Sequence, residues 1–215
     1  MAAETTERDP AAVRAAVSAM AQQAVDMLRL TWEGWKKQDE TLLQEAGRLG
    51  RELHQQEKQL TAQLLQPGSD TPAELTLVPL HLERIGDNVE LLVRAVRGAV
   101  HDGVLFTERA RRELHTLFEK ACELLECVRD AIRTGNRVLI RYVRDEAQRY
   151  EALVNAYALS HQQRLVEGVC MPRASSIYVA LLDDFKSLVW HAGQIADKLA
   201  APASAAGAQG GEEGG

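Results

Sequence analysis

The chain has 215 residues, 46% hydrophobic and only 5% aromatic, with 26% charged and a formal net charge of −6. That is ample apolar material for one large domain or two of about 100 residues, and it excludes disorder over most of the length. Basic residues are interspersed with acids instead of massed on one stripe, which argues against nucleic acid as a partner, while the Leu-, Ala-, Glu-, Arg- and Gln-rich stretches favour helix over strand.

Residues 1–9 are polar and aperiodic, and they are expected to be a disordered N-terminus. Apolar periodicity then predicts helices over residues 10–37, 39–66, 72–101, 107–134, 137–167 and 173–201. The punctuation between them fits. Pro67-Gly68-Ser69 ends the second helix, and Thr71-Pro72 opens the third in cap and first-turn positions. Asp102-Gly103, Gly135-Asn136, and Gly168 followed by Pro172 mark the later stops. Residues 202–215, PASAAGAQGGEEGG, form a small-residue tail that cannot bury enough surface to order itself. Short connections between long helices make neighbours antiparallel, so the expected fold is all-α.

The third and sixth helices read as copies. Leu82, Ile85, Val89 and Leu92 superimpose on Phe185, Leu188, Ala192 and Ile195 at a constant offset of 103 residues (185 − 82). The chain is therefore expected to be two tandem antiparallel three-helix bundles, residues 10–102 and 103–201. Under the same offset Glu83 becomes Lys186, Asp87 becomes Trp190, Glu90 becomes Gly193 and Arg94 becomes Asp197, so the second copy has lost its acids.

Those acids are the most informative feature. On a helix, Leu82, Ile85, Val89, Leu92, Val93 and Val96 share one face, and Glu83, Asp87, Glu90 and Arg94 cluster roughly 140° away. Glu83 and Asp87 lie one turn apart, where like charges repel unless something positive sits between them, and a hard or borderline cation would do that. A solvated face with Arg84 and Arg94 as partners is the plain alternative. Gly86 inside this helix costs roughly 1 kcal/mol against alanine, which points to close approach of a neighbouring helix.

The stretch LERIGD, Leu82 to Asp87, with its apolar helical continuation, resembles the signature of PhoU-type phosphate-uptake regulators. His161-Gln-Gln-Arg164-Leu165-Val-Glu-Gly168 is similar to an HxxRLxxG stretch that precedes the signature helix in PhoU domains fused to or paired with sodium-phosphate cotransporters. The resemblance implies a layout of two tandem three-helix bundles. It also implies an E(D)xxxD motif on each third helix, with partner acids on other helices that can hold iron, zinc or other divalent ions. Carried onto this chain, only Glu83 and Asp87 fill the motif, with Glu90 on the same stripe, so one metal-competent face is expected instead of two. Glu45 and Glu52, seven residues apart on the second helix, are candidate partner acids. The expected cofactor is a cation such as Fe, Zn, Mn or Mg.

The role the resemblance implies is regulatory: control of phosphate entry and of the phosphate-starvation response through contact with a membrane phosphate transporter and, in some systems, a sensor histidine kinase. No catalysis is implied. No Ser-His-Asp arrangement or Gly-rich phosphate loop is readable, and the Glu-x-x-His pairs that a ferritin-like di-metal enzyme requires are absent from the sequence. The competing reading is a metal-free helical adaptor whose acid stripe docks a basic patch. Trp190, at an exposed position where the second motif has been lost, is then a partner-binding residue, together with Arg84. A homodimer is expected, with peripheral membrane contact only, since the longest apolar runs fall far short of the roughly 20 residues a span requires. Three cysteines without CxxC spacing and no signal-peptide layout at the N-terminus make the cytoplasm the expected compartment.

Overall fold

The computed structural model describes residues 10–65 and 72–201. Among them the elements are α1 (Pro10–Lys37), α2 (Glu40–Leu64), a single 3-10 turn (Ala73–Leu75), α3 (Val78–His101), α4 (Glu108–Thr134), α5 (Arg137–Val166) and α6 (Pro172–Ala200). No strand occurs among the described residues, so the all-α expectation holds. The expectations for residues 1–9, for the break at Pro67-Gly68-Ser69 and for the tail from residue 202 lie outside the described residues.

Helix starts follow from side chains that satisfy the free N–H groups of a first turn. The Asp39 carboxylate accepts from the Thr41 backbone at 2.8 Å, the Thr107 hydroxyl from Ala110 at 3.2 Å, and the Asn136 carbonyl from Val138 at 2.8 Å. The predicted stops at Gly103, Gly135 and Gly168 carry φ of +59°, +62° and +70°, a left-handed conformation that a Cβ disfavours.

The third helix departs from expectation. It begins at Val78 and not at residue 72; Pro72 instead opens the 3-10 turn, whose Leu75 N–H donates to the Pro72 carbonyl at 2.8 Å. The reason is Pro79. In a helix running from residue 72 it would fall in the interior, where its missing N–H and its ring cost about 3 kcal/mol. Starting at Val78 places it in the first turn, where no intrahelical partner is lost.

Helices α1, α2 and α3 pack on one another, as do α4, α5 and α6, and the two bundles are joined side by side through α3 on α6 and α1 on α4. The apolar residues paired by the 103-residue offset, Leu82, Ile85, Val89 and Leu92 with Phe185, Leu188, Ala192 and Ile195, are all buried. Burying each large side chain contributes about 1.5–3 kcal/mol, and the two bundles share one continuous hydrophobic cluster. On the other seam Trp32 and Trp35 of α1 lie against Phe118 of α4, at ring separations of 6.4 and 5.7 Å, and Phe118 meets Phe185 of α6 edge-on at 4.8 Å. Among the described residues no helix is long and apolar enough to cross a membrane.

Candidate functional site

The acid stripe of α3 faces α2 across an unusually close helix contact. A Cβ on Gly86 would stand 2.9 Å from Leu53 Cδ2, and a Cβ on Gly50 would run into the Glu90 carboxylate. Glycine at both places lets the two helices approach and lets Glu90 lie flat over α2, which accounts for the cost of Gly86 in the α3 sequence.

Into this seam α2 brings His54. Its Nδ1 is 3.5 Å from Glu83 Oε1, and its Nε2 is 3.5 Å from both Asp87 Oδ1 and Glu90 Oε1. These separations exceed a normal N–H···O hydrogen bond, and the contacts are ion pairs only with a charged imidazole. The structure thus brings Glu83, Asp87 and Glu90 together and places an imidazole where positive charge is needed. Arg84 adds a guanidinium at the rim, 3.1 Å from Asp87 Oδ2.

Glu45 and Glu52 lie elsewhere on α2. Arg48, between them in sequence, donates to Glu45 at 2.9 and 2.6 Å and also binds Glu52, and these are their ion pairs among the described residues. The side chain that α2 turns toward the stripe is His54. Its signal in the sequence is weak: it follows Gly50 by four residues and adjoins the buried Leu53, which is legible only once the α3-facing side of α2 is known. Among the described residues no group of three or more His, Cys, Asp or Glu side chains is arranged to hold a metal ion.

The second copy inverts the charges. Lys186 Nζ stands 3.5 Å from Glu151 and donates to Asn155 at 3.1 Å, and Asp197 accepts from Arg144 at 2.7 Å. Where Glu90 overlies Gly50 in the first bundle, Gly193 lies under Ala147 in the second, with a would-be Cβ 3.4 Å from Ala147 Cβ. Trp190, 52% exposed, stands edge-on to His191 at 4.8 Å and to His81 at 6.4 Å. His81 and His191 meet between α3 and α6 with their Nδ1 atoms 3.1 Å apart. Burial lowers the pKa of His81, with Lys198 adding to the shift; burial, then His81, pushes His191 down to about 4.

A buried ionic network, missed by sequence reasoning, explains the HxxRLxxG stretch. Arg164 donates to both oxygens of Glu113 at 3.1 and 2.8 Å, and Tyr178 donates its hydroxyl to the same carboxylate at 2.6 Å. Arg109 adds a fourth bond at 3.0 Å, and the His161 ring lies over Tyr178 at 4.6 Å. Burial alone would raise the Glu113 carboxyl, but the hydrogen bonds from Arg164, Tyr178 and Arg109 outweigh it and hold the group below its ordinary value. Gly168 completes the stretch as a stop, with the Val169 N–H donating back to the Arg164 carbonyl at 3.1 Å. At the edge of the network the free thiol of Cys170 stands 3.9 Å from His161 Nδ1. Cys122 is buried, and its thiol is pushed up to about 12 chiefly by that burial, which keeps it from acting as a thiolate.

No protein-family model matches the chain, and no curated protein matches it in sequence. Solved structures do match in shape. PhoU from Pseudomonas aeruginosa superimposes with a TM-score of 0.79 over 87% of this chain and 93% of that one, at 15% identity. The phosphate transport system regulatory protein PhoU from Streptococcus pneumoniae gives a TM-score of 0.75 over 87% and 91%, at 12% identity. This chain has the PhoU fold.

Proposed function

We propose that the chain is a regulator of cellular phosphate uptake that acts by binding a membrane phosphate transporter at its cytoplasmic face and, where one is present, its sensor histidine kinase. One observation carries this reading: an E-x-x-x-D pair on the third helix of a PhoU fold, with Glu90 beside it and a neighbouring helix packed close enough to bring a fourth polar side chain to them. The structure likeness supports it through what the Streptococcus pneumoniae protein is called, a phosphate transport system regulatory protein. No catalytic step belongs to the proposal.

Three carboxylates and an imidazole are donors suited to Zn, Fe or Mn, and less so to Mg, which prefers oxygen alone. In the proposal Glu83, Asp87, Glu90 and His54 would draw in from their present separations to hold such an ion, which would supply fixed positive charge for phosphate or a partner's acidic group. Glu45 and Glu52 join it only if Arg48 releases them. A second reading, a metal-free helical adaptor, is favoured by His54 itself, which already supplies a side chain able to balance the stripe.

Metal content of the purified chain and metal-dependent thermal shift, for wild type and the Glu83→Gln/Asp87→Asn variant, separate the two. Retention or stabilisation by Zn, Fe or Mn that the variant loses, with helicity intact, establishes the ion; equal behaviour removes it and leaves the adaptor. Transporter binding is read separately with Trp190→Ala, whose half-exposed ring is expected to weaken association more than melting temperature. A large fall in melting temperature with unchanged association overturns that surface assignment.

A further inference from the structure

The seam between the bundles holds a second pair of donors, apart from the acid stripe. His81 on α3 and His191 on α6 set their Nδ1 atoms 3.1 Å apart, with ring centroids 5.4 Å apart and planes inclined by 47°. At that distance one hydrogen at most lies between the two nitrogens, so at least one lone pair points at the other ring. The spacing also matches two imidazoles on one metal ion: two bonds of about 2.05 Å at a tetrahedral angle separate their nitrogens by about 3.3 Å.

We propose that His81 and His191 form a two-histidine site for a borderline divalent transition-metal ion, Zn2+, Ni2+ or Cu2+, which replaces the shared hydrogen and clamps α3 to α6, with water completing the coordination. Both rings are part-covered and not sealed, which leaves room for those waters. Arg84 and Lys198 bring positive charge toward the rings and Asp87 negative charge, so charge attraction does not drive binding. Donation from nitrogen does, and that selects imidazole-preferring ions over Mg2+ and Ca2+. The site occurs once in the duplicated chain. The offset maps His81 onto Asp184 (184 − 81 = 103) and His191 onto Asn88 (191 − 88 = 103), so the other half of the seam has no histidine pair. An ion here ties the two bundles together at the helices that carry the acid stripe and Trp190.

The test is titration of the full chain with CuSO4 and ZnCl2. The expected result is one Cu2+ per chain, counted in the Glu83→Gln/Asp87→Asn background so that the acid stripe takes none, whose electron paramagnetic resonance spectrum shows coupling to nitrogen from two imidazoles, with quenching of tryptophan fluorescence that Trp190→Phe largely removes. His81→Gln and His191→Gln each weaken binding by about tenfold or more. Glu83→Gln/Asp87→Asn and His54→Gln leave the two-nitrogen spectrum in place and change the affinity of that species by less than about twofold, which keeps this site distinct from the acid stripe. Binding by both single histidine variants at wild-type strength, or a spectrum without nitrogen coupling, overturns the assignment. If one histidine variant fails to fold, loss of one imidazole's coupling in the other single variant decides the matter.

Discussion

Replacing Glu113 by Gln strands a buried guanidinium, and the surroundings of Arg164 set the cost. The Arg164 side chain is 8% exposed, has Glu113 as its carboxylate partner, and otherwise donates to the neutral Ser160 hydroxyl at 3.0 Å. Its Nε has no hydrogen-bond partner among the described residues. Removing one member of a buried ion pair costs about 3–5 kcal/mol, and Glu113→Gln belongs at the upper end because the remaining charge has no other anion. Arg164→Met is milder. There Glu113 keeps Arg109 at 3.0 Å and the Tyr178 hydroxyl at 2.6 Å, so a loss of about 2–3 kcal/mol is expected. In a chain of this size 1 kcal/mol shifts the melting temperature by roughly 2–4 °C, so Glu113→Gln, at about 5 kcal/mol, lowers it by about 10–20 °C. The double variant Glu113→Leu/Arg164→Met removes both charges and recovers part of that loss, the remainder being the unpaired Tyr178 hydroxyl at about 1–3 kcal/mol. Because the Glu113 carboxyl lies below its ordinary value when folded, its contribution is full above that value and fades as pH falls through the depressed one. The gap between wild type and Glu113→Gln therefore closes in acid. Urea and thermal unfolding of the four proteins at pH 7 and pH 3 give the comparison. An Arg164→Met loss equal to or larger than that of Glu113→Gln refutes the reasoning.

Gly86→Ala gains up to about 1 kcal/mol of helix propensity but pushes a methyl to 2.9 Å from buried Leu53. Overpacking of this kind costs about 1–3 kcal/mol, so a net loss is expected in urea unfolding; a stabilised variant would show that α2 and α3 are not tightly apposed. Two of the shifted groups oppose each other between pH 6 and 4. His191, at about 4 against an ordinary 6.5, leaves the folded chain one proton short as pH falls through that window, so it lowers stability by at most about 1.4 kcal/mol per pH unit. Asp184, raised to about 6 by burial and then by Asp183, binds a proton in the folded chain first and so raises stability as pH falls from 6 toward 3.8. The two largely offset. Measured in chelator, Asp184→Asn is expected to be more acid-labile than wild type between pH 6 and 4, and His191→Gln less, each by a fraction of the limiting slope because both sites are partly solvated. Parallel profiles for all three proteins would discard this assignment.

The sequence by itself determined the helices, their stops and the core face of α3 and α6. These are local or periodic properties: a left-handed glycine, an N-cap side chain and a 3.6-residue apolar stripe act within a turn or two of chain. It also exposed the stripe of Glu83, Asp87 and Glu90, since residues one turn apart on a helix share a face whatever packs against them. The start of α3 went astray because Thr71-Pro72 carries a good local signal, and only the competing demand of Pro79 overrides it. What crosses helices was not legible. Whether Glu45, Glu52 or His54 meets the stripe depends on how α2 rotates about its axis when Gly50 and Gly86 let it close on α3, and tertiary packing alone fixes that rotation. The pairing of Glu113 with Arg164, 51 residues apart, and of His81 with His191, 110 apart, has the same origin. Sequence spacing sets which side chains share a helix face, and the packing of one face on another decides which charges and imidazoles meet.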